Sequence, residues 1–279
     1  MTRLRVGQVE YLNCIPVYHA LEDGLLDADI ELIKGPPTKL NNMFLNGELD
    51  ITPISSIEYA KYKDKCIIIP NMSISADGNV ESILLFSHCP PTELEGKTVN
   101  VTTSSATSVV LLRILFEHYY HVQVEFHRSE PNLDAMLASA DAALLIGDDA
   151  MLAHQAVMQN KPDINVTDLG KEWKNFTGEK MVYAVWVVHA ELAENNPEIV
   201  EQISRLFNQA KAIGLANRDD LVNKGHKRSH LPHSLLNHYF DTIHHDLGES
   251  ERRALLTYYD YAYKSGIIEE RIKLTIWGE

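Results

Sequence analysis

Residues 98–116 read TVNVTTSSATSVVLLRILF. A short strand-like run, Thr98 to Val101, leads into six hydroxyls crowded within Thr102 to Ser108, and an amphipathic apolar run, Val109 to Phe116, follows. The order reads as strand, turn and helix. The first N–H groups of a helix lack partners and carry the positive end of its dipole, so such a turn suits an anion. Ser and Thr also cap helices, but one hydroxyl is enough for a cap and six exceed it.

The same unit recurs on both sides of this stretch. Before it, strands are expected at Leu4–Val9, Ile30–Ile33 and Leu49–Ile54, with helices at Val17–Glu22, Thr38–Leu45 and Ile57–Tyr62. Pro16 and Pro36-Pro37 stand where helices favour proline, and Gly24 and Asn46-Gly47 stand where they stop. Ile67–Ile69 and Ser82–Phe86 add extended segments. After it, Val122–Phe126 and Ala142–Ile146 read as strands, Leu133–Ser139 as a helix capped by Asn132, and Ala150–Met158 as another helix. Two βαβαβ units predict parallel sheets with helices on both faces. Val182–Val188 is a buried strand by composition. Beyond it the pattern is helical, with Pro197 starting Glu198–Ala216 and Glu249–Lys264 showing one apolar face ahead of Gly266. The expected organisation is two α/β domains, each a mainly parallel sheet flanked by helices. The first, 1–88 plus 184–279, is interrupted by the second, 89–183, with strands near 87–91 and 179–184 as hinges.

The chain has 279 residues, 45% of them apolar and 23% charged, as in a water-soluble globular protein. A formal charge of −14 argues against nucleic acid or an anionic membrane surface as partner. Cys14, Cys66 and Cys89 have no metal or redox spacing and read as reduced thiols. The N-terminus shows no export signal and no apolar stretch is long enough to span a bilayer, so a cytoplasmic monomer or homodimer is expected.

In open parallel sheets, ligands bind beyond the carboxyl ends of the strands. Four loops fit that position: Tyr11-Leu12-Asn13-Cys14, Ser55-Ser56-Ile57-Glu58, Thr103 to Ser108, and Gly147-Asp148-Asp149. All are polar or small, each precedes a helix, and two come from each half, which predicts a ligand cleft lined by all four. Taken singly, each loop is also ordinary capping or turn chemistry, and capping is the favoured role for Asp148 or Asp149.

These segments carry a resemblance. Val6-Gly7 with Tyr11 to Pro16, Asp50-Ile51 with Pro53 to Tyr59, Glu81 to Ser87, Thr103 to Arg113, Ala142 to Asp148, and Asp168-Leu169-Gly170 with Trp173, Thr177-Gly178 and Val182 to Val187 run in order along most of the chain. In this the sequence resembles the chorismate dehydratases of the futalosine menaquinone pathway, a group with the type II periplasmic-binding-protein fold. It departs from them at Glu179-Lys180-Met181, where that group places a small residue, proline and phenylalanine. The resemblance implies conversion of chorismate to 3-[(1-carboxyvinyl)oxy]benzoate and water, which needs no metal or redox cofactor. It implies Asn13 and Ser82 at the reacting groups, and Ser105, Thr107 and Ser108 on a carboxylate. Tyr11, Ser56 and Gly147 would shape the pocket. The substrate's own enolpyruvyl carboxylate would serve as base. The rival readings are a non-catalytic small-anion-binding protein of the same fold, which usually carries an export signal, and 1,4-dihydroxy-6-naphthoate synthase.

Three other candidates are weaker. Cys14 as a nucleophile has no role in a dehydration. His226 and His230 have a zinc-like spacing, but Lys227 and Arg228 between them favour a solvated helix. Glu58, early in a helix, is ordinary dipole chemistry as much as a general base.

Overall fold

In the computed structural model, which describes residues 3–279, the chain alternates strand and helix through its first half. It runs β1 (Leu4–Val9), α1 (Ile15–Glu22), β2 (Ile30–Gly35), α2 (Pro37–Leu45), β3 (Ile51–Ser55), α3 (Ser56–Lys61) and β4 (Cys66–Ala76). It continues through β5 (Ile83–Ser87), β6 (Thr98–Thr102), α4 (Ala106–Leu115), β7 (Glu125–Ser129), α5 (Leu133–Ser139), β8 (Ala142–Ile146) and α6 (Gly147–Asn160). Then come β9 (Asn165–Asp168), α7 (Leu169–Thr177), β10 (Met181–His189), α8 (Ala190–Asn195) and α9 (Pro197–Ala216). The tail is α10 (Arg218–Ser229), α11 (His233–Thr242) and α12 (Glu249–Lys264). Among the described residues, no helix is long and apolar enough to cross a membrane.

Two compact units result. One holds the chain up to Ser75 with Val182–Arg253 and Ile272–Glu279, and the other holds Ala76–Met181 with Ala254–Arg271. The chain therefore crosses at 75/76 and 181/182, against the 88/89 and 183/184 expected. β5 belongs with the second unit because it pairs along its whole length with β8. Residues 254–271 join that unit too, where Tyr258 and Tyr261 of α12 pack edge-on against Trp173 of α7.

Each unit is built on one five-stranded sheet, in the orders β2-β1-β3-β10-β4 and β7-β6-β8-β5-β9. Both sheets are mixed. β1 runs parallel to β2 and β3, and β6 to β7 and β8, as the alternation predicts. β10 is antiparallel to β3, and β5 is antiparallel to β8 and β9. Neither strand reaches its neighbour through a single helical crossover, so nothing forces it parallel.

In the first unit a polar chain threads the core. Trp186 Nε1 donates to Tyr18 Oη at 3.1 Å, and Tyr18 Oη donates to the Gly7 carbonyl at 2.7 Å. This ties β10, α1 and β1 together with every polar atom satisfied. In the second unit, Leu84, Phe86, Ala143 and Leu145 of the sheet pack against Leu133 and Met136 of α5 and Ala150 and Val157 of α6.

Some elements differ from the sequence reading. β4 runs eleven residues, past Pro70 and through Asn71 at a φ of 59°. β7 begins at Glu125 and not Val122, because α4 continues as a wide π turn over Phe116–Tyr120 and is closed by His121 at φ 55°.

Candidate functional site

In the first unit, β1 and β3 are parallel neighbours, so the loops after them leave the same edge of the sheet. After β1, Tyr11 precedes a tight turn, Leu12–Cys14, closed by Cys14 N–H donating to the Tyr11 carbonyl at 3.0 Å. Pro16, which has no N–H to lose, follows in the first turn of α1. Asn13 sits in the middle of that turn, half-buried, and its Oδ1 is buried without a hydrogen-bond partner. Its main-chain carbonyl meets His245 Nε2 at 2.7 Å. After β3, Ser56 is fully buried and its Oγ donates to the Val182 carbonyl at 2.7 Å, joining α3 to β10. Glu58, one turn into α3, pairs with Lys61 at 2.9 Å.

In the second unit, β6 and β8 are parallel neighbours, and antiparallel β5 begins at the edge where they end. This brings Ser82 to Gly147, whose N–H donates to the Ser82 carbonyl at 2.6 Å. Gly147 sits at φ 59°, a conformation that suits glycine, and the chain turns straight from β8 into α6. That turn leaves Ile146 at the cap position with no side-chain cap bond. Asp148 and Asp149 therefore stand in the first helical turn and not at the cap, as the sequence had favoured.

The hydroxyl turn after β6 does cap its helix. Ser105 Oγ accepts from Ser108 N–H at 3.1 Å and donates to Ser108 Oγ at 2.9 Å. Thr102 Oγ1 accepts from Ser104 N–H at 3.2 Å. Thr107 and Ser108 are buried, and Tyr258 of α12 donates to the Thr107 carbonyl at 3.2 Å, which fixes the turn from outside.

One residue quoted for the resemblance has a role that the sequence did not reveal. Asp168 caps α7 by accepting from Gly170 N–H at 2.9 Å and Lys171 N–H at 3.1 Å. Its other side accepts from Val80 N–H at 3.0 Å and Glu81 N–H at 2.7 Å. Burial pushes the carboxyl up, while the four N–H bonds pull it down. The clamp holds Glu81 at φ 63°, unusual for a residue with a Cβ, directly before Ser82. The departure at Glu179-Lys180-Met181 is also anchored, with Trp173 Nε1 donating to the Lys180 carbonyl at 3.1 Å.

The histidine spacing on α10 does not survive folding. His230 leaves the helix at φ 60°, and His226 Nδ1 meets the Leu231 carbonyl at 2.8 Å. Among the described residues, no group of three or more His, Cys, Asp or Glu is placed to hold a metal ion. Burial pushes the Cys66 thiol up to about 12, so it stays protonated and unreactive.

Comparison with known proteins identifies the family and the fold. Residues 4–264 match the family described as menaquinone biosynthesis. The chorismate dehydratase of Thermus thermophilus is 29% identical over 262 residues, covering 90% of this chain and 92% of that protein. A crystal structure of a protein from Archaeoglobus fulgidus superposes with a TM-score of 0.78 at 20% identity, over 95% of this chain and 98% of that one. The periplasmic aliphatic sulphonate binding protein of Escherichia coli superposes with a TM-score of 0.67 at 15% identity, over 96% and 89%. At such identities the two structures speak to the fold, which is that of periplasmic binding proteins.

Proposed function

The chain belongs to the menaquinone-biosynthesis family, and from that premise we propose that it is a chorismate dehydratase. The observation that carries this reading is the chorismate dehydratase of Thermus thermophilus, 29% identical and aligned over 90% of this chain and 92% of its own. The family match over residues 4–264 supports it at the level of menaquinone biosynthesis.

The reaction is a hydro-lyase step. The C–H bond at the ring carbon bearing the ether breaks, the neighbouring C–O bond breaks, and the proton and hydroxide leave as water. The ring becomes aromatic, so the overall step runs downhill. What the protein supplies is orientation and charge stabilisation. Ser105, Thr107 and Ser108 at the start of α4 offer donors to a substrate carboxylate, with the positive end of the helix behind them. Asn13 and Ser82 hydrogen-bond the reacting groups. The unpartnered Oδ1 of Asn13 is placed to accept a hydrogen bond from the ring hydroxyl of the substrate. The enolpyruvyl carboxylate of the substrate lies near the ring proton and acts as base. Tyr11, Ser56 and Gly147 shape the surroundings. A small biosynthetic substrate and three cysteines that form no disulfide fit a cytoplasmic enzyme.

The test is incubation of the purified protein with chorismate, read by the ultraviolet absorbance of an aromatic enol ether product. Binding without turnover would support a non-catalytic role. Turnover of the naphthoate synthase substrate in place of chorismate would move the chain to that activity. Asn13→Ala and Ser82→Ala are each expected to lower kcat by about 100-fold, and rates within a few-fold of the unmodified protein would remove their roles.

A further inference from the structure

Resting on the reading of Asn13 above, we propose that His245 is a positioning residue for Asn13: its Nε2–H holds the Asn13 main-chain carbonyl and so sets where the Asn13 amide stands. The two residues are 232 positions apart and meet at 2.7 Å. A carbonyl oxygen only accepts, so the proton of the ring sits on Nε2.

The backbone around His245 is fixed without its side chain. His244 exchanges two main-chain bonds with Ser75 of β4, both 2.9 Å, and Ser73 N–H donates to the His245 carbonyl at 3.0 Å. Ser73 Oγ donates to the Asp246 carbonyl. Lys211 of α9, itself buried, reaches the Asn71 carbonyl at 2.6 Å and Asp246 Oδ1 at 2.7 Å. The imidazole is therefore not needed to hold its own segment.

The imidazole is also an unfavourable group to bury there. It is 2% exposed, and its Nδ1 has no hydrogen-bond partner. An apolar side chain would fill the same space without an orphaned acceptor. Burial pushes the ring down to about 4, so it is neutral near pH 7 and keeps a single N–H. That N–H goes to the one turn of the first unit in which the reacting asparagine stands. Asn13 stands four residues past Val9, the last residue of β1, and Pro16 three residues on supplies no N–H of its own. A fixed carbonyl at Asn13 therefore sets the peptide plane from which the side chain projects.

The experiment uses the full chain and three substitutions. The Gln amide nitrogen reaches about as far as imidazole Nε2, the Asn amide stops near Nδ1, and Leu has no donor. His245→Leu and His245→Asn are expected to lower kcat by about 10- to 100-fold, the scale of a small misplacement of a reacting group, with KM within about threefold. His245→Gln is expected to restore most of the rate. Hydrogen exchange at residues 11–15 is expected to quicken in the Leu and Asn variants and to remain as in the unmodified protein in the Gln variant. Equal losses in Gln and Asn, wild-type rates in all three, or unchanged exchange overturns the proposal. Asn13→Ala run beside them separates the two readings. If it loses activity while His245→Leu does not, only the positioning role fails; if Asn13→Ala itself turns over normally, the role of Asn13 fails first.

Discussion

Asp168 accepts four backbone N–H groups, two from its own helix and two from the loop before Ser82. Asp168→Ala removes a helix cap and leaves the Val80 and Glu81 donors unsatisfied. The expected loss is about 2–3 kcal/mol of stability, read from a urea midpoint, with a drop in turnover because Ser82 loses its approach. His245 gives a pH signature of its own. Its folded value, about 4, lies below the ordinary 6.5 of an unfolded histidine, so the unfolded chain takes up the proton first. The contribution is complete above pH 6.5 and is lost as the pH falls towards 4. It is on the order of 3 kcal/mol across that window. His245→Gln should remove this part of the acid sensitivity, seen by comparing urea midpoints at pH 7 and pH 4.5. Neither role is legible in the local sequence. Asp168 stood only among the segments that carry the resemblance, and its reach to Val80 depends on β9 lying beside β5. His245 shows no period that marks it, because its imidazole meets a carbonyl 232 positions away.

At the scale of elements, α1 and α9 approach so closely that a methyl on Gly214 would stand 1.9 Å from the Pro16 carbonyl oxygen. Both contacting groups belong to backbone, so one helix must move. Gly214→Ala is expected to cost about 1–3 kcal/mol, measured by thermal melting. It should also lower turnover, because Pro16 follows the Asn13 turn. On the same helix, Glu22 gathers Gln8 of β1 at 2.7 Å, Lys34 of β2 at 2.6 Å and Lys224 of α10 at 2.7 Å. Burial pushes its carboxyl up, but these donors outweigh that and bring it down to about 2. The stabilisation is present above the unfolded value near 4.5 and is lost as the pH falls towards 2. Glu22→Gln should flatten the acid limb of the stability curve over that interval. The helix α1 itself was readable from Pro16 and Gly24. α10 was read only as a solvated helix, and its buried face was not seen: Leu221, Val222, Gly225 and Ser229 make a narrow stripe in an otherwise charged segment. Its place is set by packing on neighbours and not by its own periodicity.

Over the whole molecule, the sequence made the repeating strand–helix alternation plain, because each strand and its helix are neighbours in the chain. The parallel triplets β2-β1-β3 and β7-β6-β8 follow from that alternation. The antiparallel additions do not, since β10 meets β3 across more than a hundred residues and nothing local states its direction. The hydroxyl turn was likewise legible as a helix start, and its Ser105–Ser108 cap follows from local spacing. Its buttress from Tyr258 was beyond reach of any local pattern. A chain ended at residue 180 tests the larger arrangement. It lacks β10 and should leave the 66–76 segment open to limited proteolysis, whereas the full chain protects it.

β10 lies between β3 and β4, although both of those strands leave the ribosome long before it does. At ordinary rates of synthesis the interval is on the order of ten seconds. During that time the first sheet has two unpaired edges where an inner strand will lie, and the edge of β3 carries apolar Ile51 and Ile54. A nascent chain in this state is a substrate for holding chaperones and for faulty pairing between neighbouring polysomes. Expression yield should therefore respond to translation speed across residues 56–188 more than to any change in the finished fold.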